Sequence, residues 1–400
     1  MRQEKKFKIY FYDLNELIGY LYVSFANGKE IHSFEFVDSF LLSNIKNRFY
    51  DPDLLFISGR QYPSSNRVTF SFLEDSLPDR WGRKLILRYN LKNKNKELST
   101  IDFLISVSDI YRLGAIRIAD ENDNFLSNNN TRIPPWMYLN RLEQAAIEVE
   151  DEKLDVDINL LLSPGSSLGG ARPKCNVFDN DKEVYIAKFP NKKDDIDVGL
   201  AEMVVHDLAK LCEINVPEAK IELLSKYGTT YLTKRFDRSK EQRIHFTSAL
   251  CLLNADQGDD DHSYLEFVDL IKEKSADPEA DLLELFKRIV FNVVVNNTDD
   301  HLRNHGFIYR DSGWELSPAF DINVNIYDHT HVLAIDSYNH QGNLNSLRTI
   351  AKYFRLSGDK AESIINKTVD IVKNQFETIA HQYKMKQVEI ELIKKQFVLD

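Results

Sequence analysis

Asn297-Thr298-Asp299-Asp300-His301-Leu302-Arg303-Asn304, with Ser317-Pro318-Ala319-Phe320-Asp321 a short way downstream, decides how this chain is read. Four residues separate Asp299 from Asn304. One short loop after an apolar helix aims both side chains into the same cleft. A carboxylate placed there accepts a hydrogen bond from an attacking hydroxyl, and an amide carbonyl supplies a neutral oxygen ligand to a hard cation. Between the two motifs, Phe307-Ile308-Tyr309 and Trp314-Glu315-Leu316 read as strands of a hairpin turned by Arg310-Asp311-Ser312-Gly313. Asp321 then adds a second carboxylate, suited to Mg²⁺. Phosphoryl transfer needs one positioned carboxylate and oxygen ligands for metal, and Asp299, Asn304 and Asp321 offer both.

Asp and Asn clusters also cap helices and form turns, so the spacing by itself is a weak signal. What strengthens it is the order of features upstream. Gly165-Ser166-Ser167-Leu168-Gly169-Gly170-Ala171 is a Ser/Gly loop whose backbone N–H groups can gather around phosphate oxygens. It matches neither a Walker A sequence nor G-x-G-x-x-G. Lys188, in Ile186-Ala187-Lys188-Phe189, sits near the end of a strand, and Glu202 stands early in the next helix as its possible partner. For any lone Lys or Glu, a solvated surface residue is the competing reading.

Composition bounds the rest. The chain has 400 residues, 43% hydrophobic and 28% charged, which is enough to bury a large core without disulfide or metal staples. A net charge of -11 argues against a broad basic surface for nucleic acid. Cys175, Cys212 and Cys251 are widely spaced and odd in number, which fits a reduced cytoplasmic compartment. The charged beginning, MRQEKKFKIYFYDLNE, has no apolar h-region, so no signal peptide is expected. No apolar run approaches the roughly 18 residues of a spanning helix. The run 289–295 is interrupted by Asn292 and reads as a buried core helix.

Strand-like alternation at 7–12, 18–23 and 32–37, helices at 81–89 and 102–108, and a strand at 115–118 make residues 1–125 a small α+β subdomain. Residues 120–135, Asn-rich and closed by Pro134-Pro135, read as a linker. Residues 136–235 carry a helix at 138–150, the Ser/Gly loop, a hairpin at 174–189, a helix at 200–212 and strands at 221–224 and 230–233. Residues 236–400 are mostly helical: 247–253, 264–274, 281–296, 346–355 and 360–383. The expected fold class is therefore α+β, two-lobed and protein-kinase-like, with a small N-terminal α+β subdomain and a mainly helical C-terminal lobe.

Ser167-Leu168-Gly169-Gly170-Ala171-Arg172-Pro173-Lys174, Lys188-Phe189-Pro190, Lys234-Arg235-Phe236-Asp237-Arg238, the 297–304 stretch and Ser317-Pro318-Ala319-Phe320-Asp321 occur in an order that resembles the HipA-like serine/threonine kinases, toxins of bacterial type II toxin–antitoxin modules. The resemblance covers about 160–390, and Asp75-Ser76-Leu77-Pro78-Asp79 with Gly114-Ala115-Ile116-Arg117-Ile118 extends it to the family's small N-terminal domain. It implies Asp299 as the catalytic aspartate, supported by His301, and Asn304 and Asp321 as Mg²⁺ ligands. It implies that ATP meets Ser167, Leu168, Gly169, Gly170, Ala171 and Lys188, and that Lys234, Arg235 and Phe236 form a hinge holding adenine through its backbone. Ser167 matches the serine this family autophosphorylates, with Ser166 beside it as a second hydroxyl. A phosphate there adds about two negative charges and would expel the loop from the phosphate site. The implied substrates are aminoacyl-tRNA synthetases, glutamyl-tRNA synthetase above all, and the implied partner is a small DNA-binding antitoxin. Two positions depart from the best-known member of the family: Lys234 stands where a glutamate is found, and Asp300 replaces a glycine.

Other features look chemical. His301 and His305 have the i, i+4 spacing of zinc ligands on a helix, but no HExxH surrounds them and Gly306 follows at once. Gly258-Asp259-Asp260-Asp261-His262 reads as a solvated acidic loop rather than a metal cluster. A small-molecule phosphotransferase of the same fold, and a co-repressor acting with a DNA-binding antitoxin, are the competing functions. The Ser/Gly loop favours a protein kinase over the first, and the intact Lys188, Asp299, Asn304 and Asp321 argue for catalysis over the second.

Overall fold

A computed structural model describes the chain except residues 1–3, 12–14, 65–66, 94–96, 128–133, 154–155, 166–169, 240–241, 257, 259–260 and 312. The chain divides into two compact units, one of residues 1–191 with 234–254, the other of 192–233 with 255–400.

In the first unit, β1 (Lys5–Phe11), β2 (Glu16–Ala26), β3 (Lys29–Phe36) and β4 (Ile116–Ala119) form an antiparallel sheet in the order β3-β2-β1-β4. Period-2 alternation sets the faces: Phe7, Ile9 and Phe11 of β1 point into the core while Lys8 and Tyr10 point away from it. The β2–β3 turn is Asn27-Gly28, with φ of 51° and 79°. Both residues are left-handed, as a tight two-residue hairpin matching strand twist requires. Gly19 cannot carry a side chain, because a Cβ there would lie 2.4 Å from the Glu35 carbonyl oxygen. The core under this sheet is rich in phenylalanine. Phe36 stacks on Phe40 with centroids 5.5 Å apart, and Phe49 meets Phe72 edge-on at 4.9 Å.

Helices α1 (Arg80–Asn93), α2 (Thr100–Ser106) and α3 (Leu139–Glu150) and the hairpin of β5 (Lys174–Phe178) with β6 (Val184–Lys188) complete the main elements of this unit. Trp81 of α1 donates from its indole to the Lys174 carbonyl at 3.0 Å and from its backbone to the Gly170 carbonyl at 3.4 Å. The buried Lys174 ammonium lies 3.4 Å from the Asp79 carboxylate. The described end of the Ser/Gly loop is thus braced by Asp79 and Trp81.

A buried guanidinium cluster ties residues 234–243 to residues 109–117. Asp237 accepts two hydrogen bonds from Arg235, at 2.8 and 2.7 Å, one from Arg238 at 2.7 Å and one from the Gly114 N–H at 2.8 Å. Arg235 also donates to the Tyr111 carbonyl and to the Asn176 side chain, and Arg243 donates to the carbonyls of Asp109, Arg112, Gly114 and Ile116. Asp109 pairs with Arg117 at 2.6 Å. Burial opposes ionisation of Asp237, but the Arg235 and Arg238 charges outweigh it and hold the carboxyl well below its ordinary value.

In the second unit, α4 (Val198–Leu211) is N-capped by Asp197, which accepts from the Leu200 N–H at 3.1 Å and from Thr229 at 3.0 and 2.7 Å. Thr229 belongs to β8 (Gly228–Lys234), which pairs antiparallel with β7 (Ala219–Ser225). The helix starts so close to β8 that a Cβ on Gly199 would lie 2.0 Å from the Thr229 carbonyl oxygen. Helices α5 (Tyr264–Lys274), α6 (Pro278–Val294) and α7 (Gly358–Gln382) form the helical body, with a hairpin of β9 (Gly306–Arg310) and β10 (Gly313–Leu316).

The expected helix at 346–355 is a helix over Leu344–Ile350 continued by a 3₁₀ turn over Ala351–Phe354. The expected helix at 247–253 is the short strand Phe246–Ser248 followed by one turn, Ala249–Leu252, started by the Ser248 side chain. All three cysteines are free and buried, and burial pushes each thiol above its ordinary value. Among the described residues no helix is long and apolar enough to cross a membrane.

Replacing Asp237 with Ala strands two buried guanidinium groups. The first urea transition of the variant is expected to lose about 3–5 kcal/mol. The sign with pH follows from the depressed folded value: the Asp237 contribution is complete above its unfolded value of 3.8 and is lost as pH falls below it. Melting curves between neutral and strongly acid pH should therefore show a shallower acid loss in Asp237→Asn than in the parent.

Candidate active site

Helix α6 delivers the decisive loop. Asp277 caps its start by accepting from the Ala280 N–H at 3.1 Å, with Pro278 at the first position. Its end is set by asparagines. Asn296 adopts φ 58°, its N–H reaches the Val293 carbonyl at 3.2 Å, and the Asn297 N–H reaches the Asn292 carbonyl at 2.8 Å. That is a Schellman ending with asparagine in the left-handed position. The chain leaves the helix through Thr298 and Asp299 directly into the loop.

The loop folds tightly. Leu302–Asn304 is a 3₁₀ turn, and the Asn304 N–H donates to the His301 carbonyl at 2.8 Å. The Asn304 side-chain amide, buried, donates to the Asp299 carbonyl at 3.3 Å, so the two ends of the Asp-x-x-x-x-Asn stretch touch. Asp299 is exposed as a residue, yet its carboxyl is partly desolvated. That desolvation and the charges of Asp321 and Asp300 raise it above its ordinary value, against the opposing pull of His301. Asp321 takes φ 58°, a left-handed backbone uncommon outside glycine and asparagine-like residues. Asn323 donates to its carboxylate at 3.4 Å.

Asp300, by contrast, is fully inside. Its Oδ2 accepts from the Tyr264 hydroxyl at 2.5 Å, from the Asn292 side chain at 2.7 Å and from His305 Nε2 at 2.7 Å. Burial works against its charge, but His305 and the Tyr264 hydroxyl outweigh it and keep the carboxyl below its ordinary value. The Asp300 carboxylate is therefore held inside the protein by three donors. His305 spends its Nε2 on Asp300, and among the described residues no group of three His, Cys, Asp or Glu is arranged to hold a metal ion. A cavity of about 10 Å³ lies behind the loop, lined by Arg288, Asn292, Asn297, Asp300, Asn304 and His305 among others.

The segment after Asp321 is bound to the same loop. Asn296 donates to the carbonyls of Asn325 at 2.7 Å and Asp328 at 2.9 Å and meets His329 at 3.1 Å. Asn325 donates to the Thr298 hydroxyl at 2.6 Å, and the Val332 N–H reaches the Thr298 carbonyl at 2.9 Å.

Glu202, buried in α4, is in the same unit as these residues. Burial raises the Tyr231 hydroxyl well above its ordinary value, and the Glu202 and Asp321 carboxylates add to the shift. Lys188, Gly170 and Ala171 belong to the first unit, as does the Lys234–Phe236 stretch. Ser166, Ser167, Leu168 and Gly169 lie outside the described residues. Lys234 pairs with Glu183 at 3.2 Å, and Phe236 packs 5.8 Å from Phe246 between ring centroids. The Arg235 N–H donates to the Val184 carbonyl at 2.8 Å, and its side chain is committed to Asp237.

Sequence reading gave no role to Tyr264, Asn292 or Asn296, and took up His305 only as half of a zinc-ligand spacing. Asn292 was legible only as an interruption of an apolar run, although a polar residue on a buried helix face must find a partner.

Residues 166–376, more than half of the chain, match the family model described as the HipA-like C-terminal domain. Y4dM of Sinorhizobium fredii (strain NBRC 101917 / NGR234) is 26% identical over 183 residues, 39% of this chain and 44% of that protein. The serine/threonine-protein kinase toxin HipA of Shewanella oneidensis is 26% identical over 197 residues, 41% of this chain and 45% of that protein. The match thus spans less than half the length of each of these relatives. Among solved structures, the Shewanella oneidensis MR-1 toxin–antitoxin complex of HipA, HipB and operator DNA aligns with a TM-score of 0.70 at 18% identity, over 98% of this chain and 94% of that one. The fold is therefore that of HipA, an α+β kinase-like fold.

Asn296→Ala removes three contacts and forces a left-handed backbone on alanine. It is expected to destabilise by about 1–3 kcal/mol. Limited chymotrypsin digestion should show faster cleavage after Tyr327 in the variant than in the parent.

Proposed function

Because the chain belongs to the family of HipA-like C-terminal domain proteins, we propose that it is an ATP- and Mg²⁺-dependent serine/threonine protein kinase, acting as the toxin of a toxin–antitoxin pair in the cytoplasm. The observation that supports this reading is that both the Asn304 side chain and the Asp321 charge bear on Asp299. Asn304 closes the loop onto the Asp299 backbone, and the Asp321 charge is felt at the Asp299 carboxyl.

The roles follow from donor chemistry. Two carboxylates whose charges oppose each other, beside an amide, form a set that a divalent cation relieves. Asn304 and Asp321 would hold Mg²⁺, and Mg-ATP, when bound, supplies the phosphoryl group and neutralises its charge. Asp299 accepts the hydrogen bond of the incoming serine or threonine hydroxyl and would take its proton as that oxygen bonds to the γ-phosphorus and the bond to ADP breaks. His301 holds the loop between them. Lys188 and the glycines of the Ser/Gly loop bind phosphate oxygens. The hinge would act through Lys234 and Phe236 backbone groups, since the Arg235 N–H already has an acceptor. Glu202, buried beside Tyr231, is the carboxylate for the Lys188 role.

Likeness to HipA also supports the finer proposals. The protein substrate is of the aminoacyl-tRNA synthetase class, glutamyl-tRNA synthetase first. Self-phosphorylation falls on Ser167 or Ser166 and silences the enzyme. The HipA of known structure is found with HipB and operator DNA, so the partner proposed here is a small DNA-binding antitoxin, with DNA met through it.

Purified full-length protein with Mg-ATP is expected to incorporate phosphate on Ser167 or Ser166, read by peptide mass spectrometry, and to lose it when Mg²⁺ is chelated. Asp299→Asn should slow incorporation by about 10²–10⁴-fold. Labelling of Asp299→Asn at the parental rate would sink the assignment.

A further inference from the structure

We propose that Asp300 and His305 form a clamp that positions Asp299 and Asn304, the two residues they directly follow. The proposal rests on the kinase reading above for its catalytic meaning. Asp300 is the residue after Asp299 and His305 the residue after Asn304. Their side chains join at 2.7 Å. A single buried bond therefore spans the base of the loop and fixes both ends of the Asp-x-x-x-x-Asn stretch at once.

The geometry of the clamp is over-determined. The Asp300 carboxylate can only accept, so His305 Nε2 carries the proton of their bond. Tyr264, from the start of α5, and Asn292, from the last turns of α6, donate to the same oxygen. Asn292 in turn accepts from the Asn297 side chain at 3.0 Å, tying the helix end into the network. The His305 ring is held edge-on between Phe267 at 4.8 Å and Tyr264 at 5.9 Å between centroids. Asp300 and His305 are both buried, so neither is placed to touch a substrate. The cavity next to them, with Asn304 and Asn297 in its wall, has room for about one water molecule. The Asn304 side chain would have somewhere to turn if the clamp were cut. These contacts make Asp300 and His305 positioning residues acting through their neighbours. They also give the Asp that replaces glycine at 300 a function: it receives the histidine at 305.

The test uses the full chain carrying Asp300→Asn, His305→Gln, both together, or the milder Tyr264→Phe, against Ile365→Ala as a control. Ile365 is fully buried in α7 of the same unit and outside the site. Two readouts are taken. Hydrogen exchange of residues 296–305 should quicken at least tenfold in the clamp variants and stay near parental in the control at equal loss of Tm. Phosphotransfer should lose kcat by on the order of 10²-fold, as expected for displaced reacting groups, with KM for ATP little changed and a higher Mg²⁺ concentration needed for half-maximal rate. The double variant should lose no more than the worse single one, because both cut the same bond. Exchange no faster than in the control, or parental kcat and Mg²⁺ dependence in Asp300→Asn, would overturn the clamp. A loop that loosens as expected in a parent without phosphotransfer would uphold the clamp as a conformational lock and overturn the kinase reading instead.

Discussion

Asp237 sits where water does not reach and accepts four hydrogen bonds from groups contributed by two distant parts of the chain. Most of the first unit hangs on that arrangement. The Arg235 and Arg238 guanidinium groups cannot shed their charge near neutral pH, so burying them demands fixed acceptors. Asp237 and the carbonyls of 109–116 are those acceptors, and they draw residues 234–243 against the loop that leads into β4. A consequence for chemistry follows. The stretch expected to meet adenine begins at a residue whose neighbour is locked on both its backbone and its side chain. Lys234 and Phe236 are thereby held at defined positions by Arg235 between them.

The second unit solves the same problem with Asp300. Here too a buried carboxylate collects donors from separate parts of the chain: α5, the end of α6 and the residue before β9. The two sites differ in charge. Asp237 faces permanent cations. Asp300 faces a phenol, an amide and an imidazole, which together favour one orientation of the loop without adding a permanent positive charge beside Asp299. An arginine there would lower the Asp299 carboxyl and weaken it as a proton acceptor. The environment that does surround Asp299 raises it instead.

Much of this was legible in the sequence, for identifiable reasons. Strands with period-2 alternation and long helices with one apolar face declare themselves, and the Asp-x-x-x-x-Asn spacing survives because loop geometry fixes it. The Asn27-Gly28 turn, which the reading of alternation passed over, lengthens β2 and β3 beyond the alternating runs. What stayed hidden depends on pairing across the chain. Asp300 read only as a departure that replaces a glycine, because nothing local reveals Tyr264 and Asn292. Arg235 read as a hinge residue, because nothing local reveals that its side chain also reaches Asn176 and the Tyr111 carbonyl, 59 and 124 positions away. The helix end near 350 was misjudged where apolar residues continue past the last regular turn, and the helix start near 247 where Phe246–Ser248 is extended instead.

The three cysteines, all buried with their thiols pushed up, leave almost no thiolate at neutral pH and little path to it. To a maleimide reagent the native chain is therefore close to blank. One cysteine introduced on an exposed position, such as Leu42 or Tyr338, would become a unique handle for a fluorophore or spin label with the native three left in place. Two such positions labelled in one molecule would report the distance between its own parts in solution.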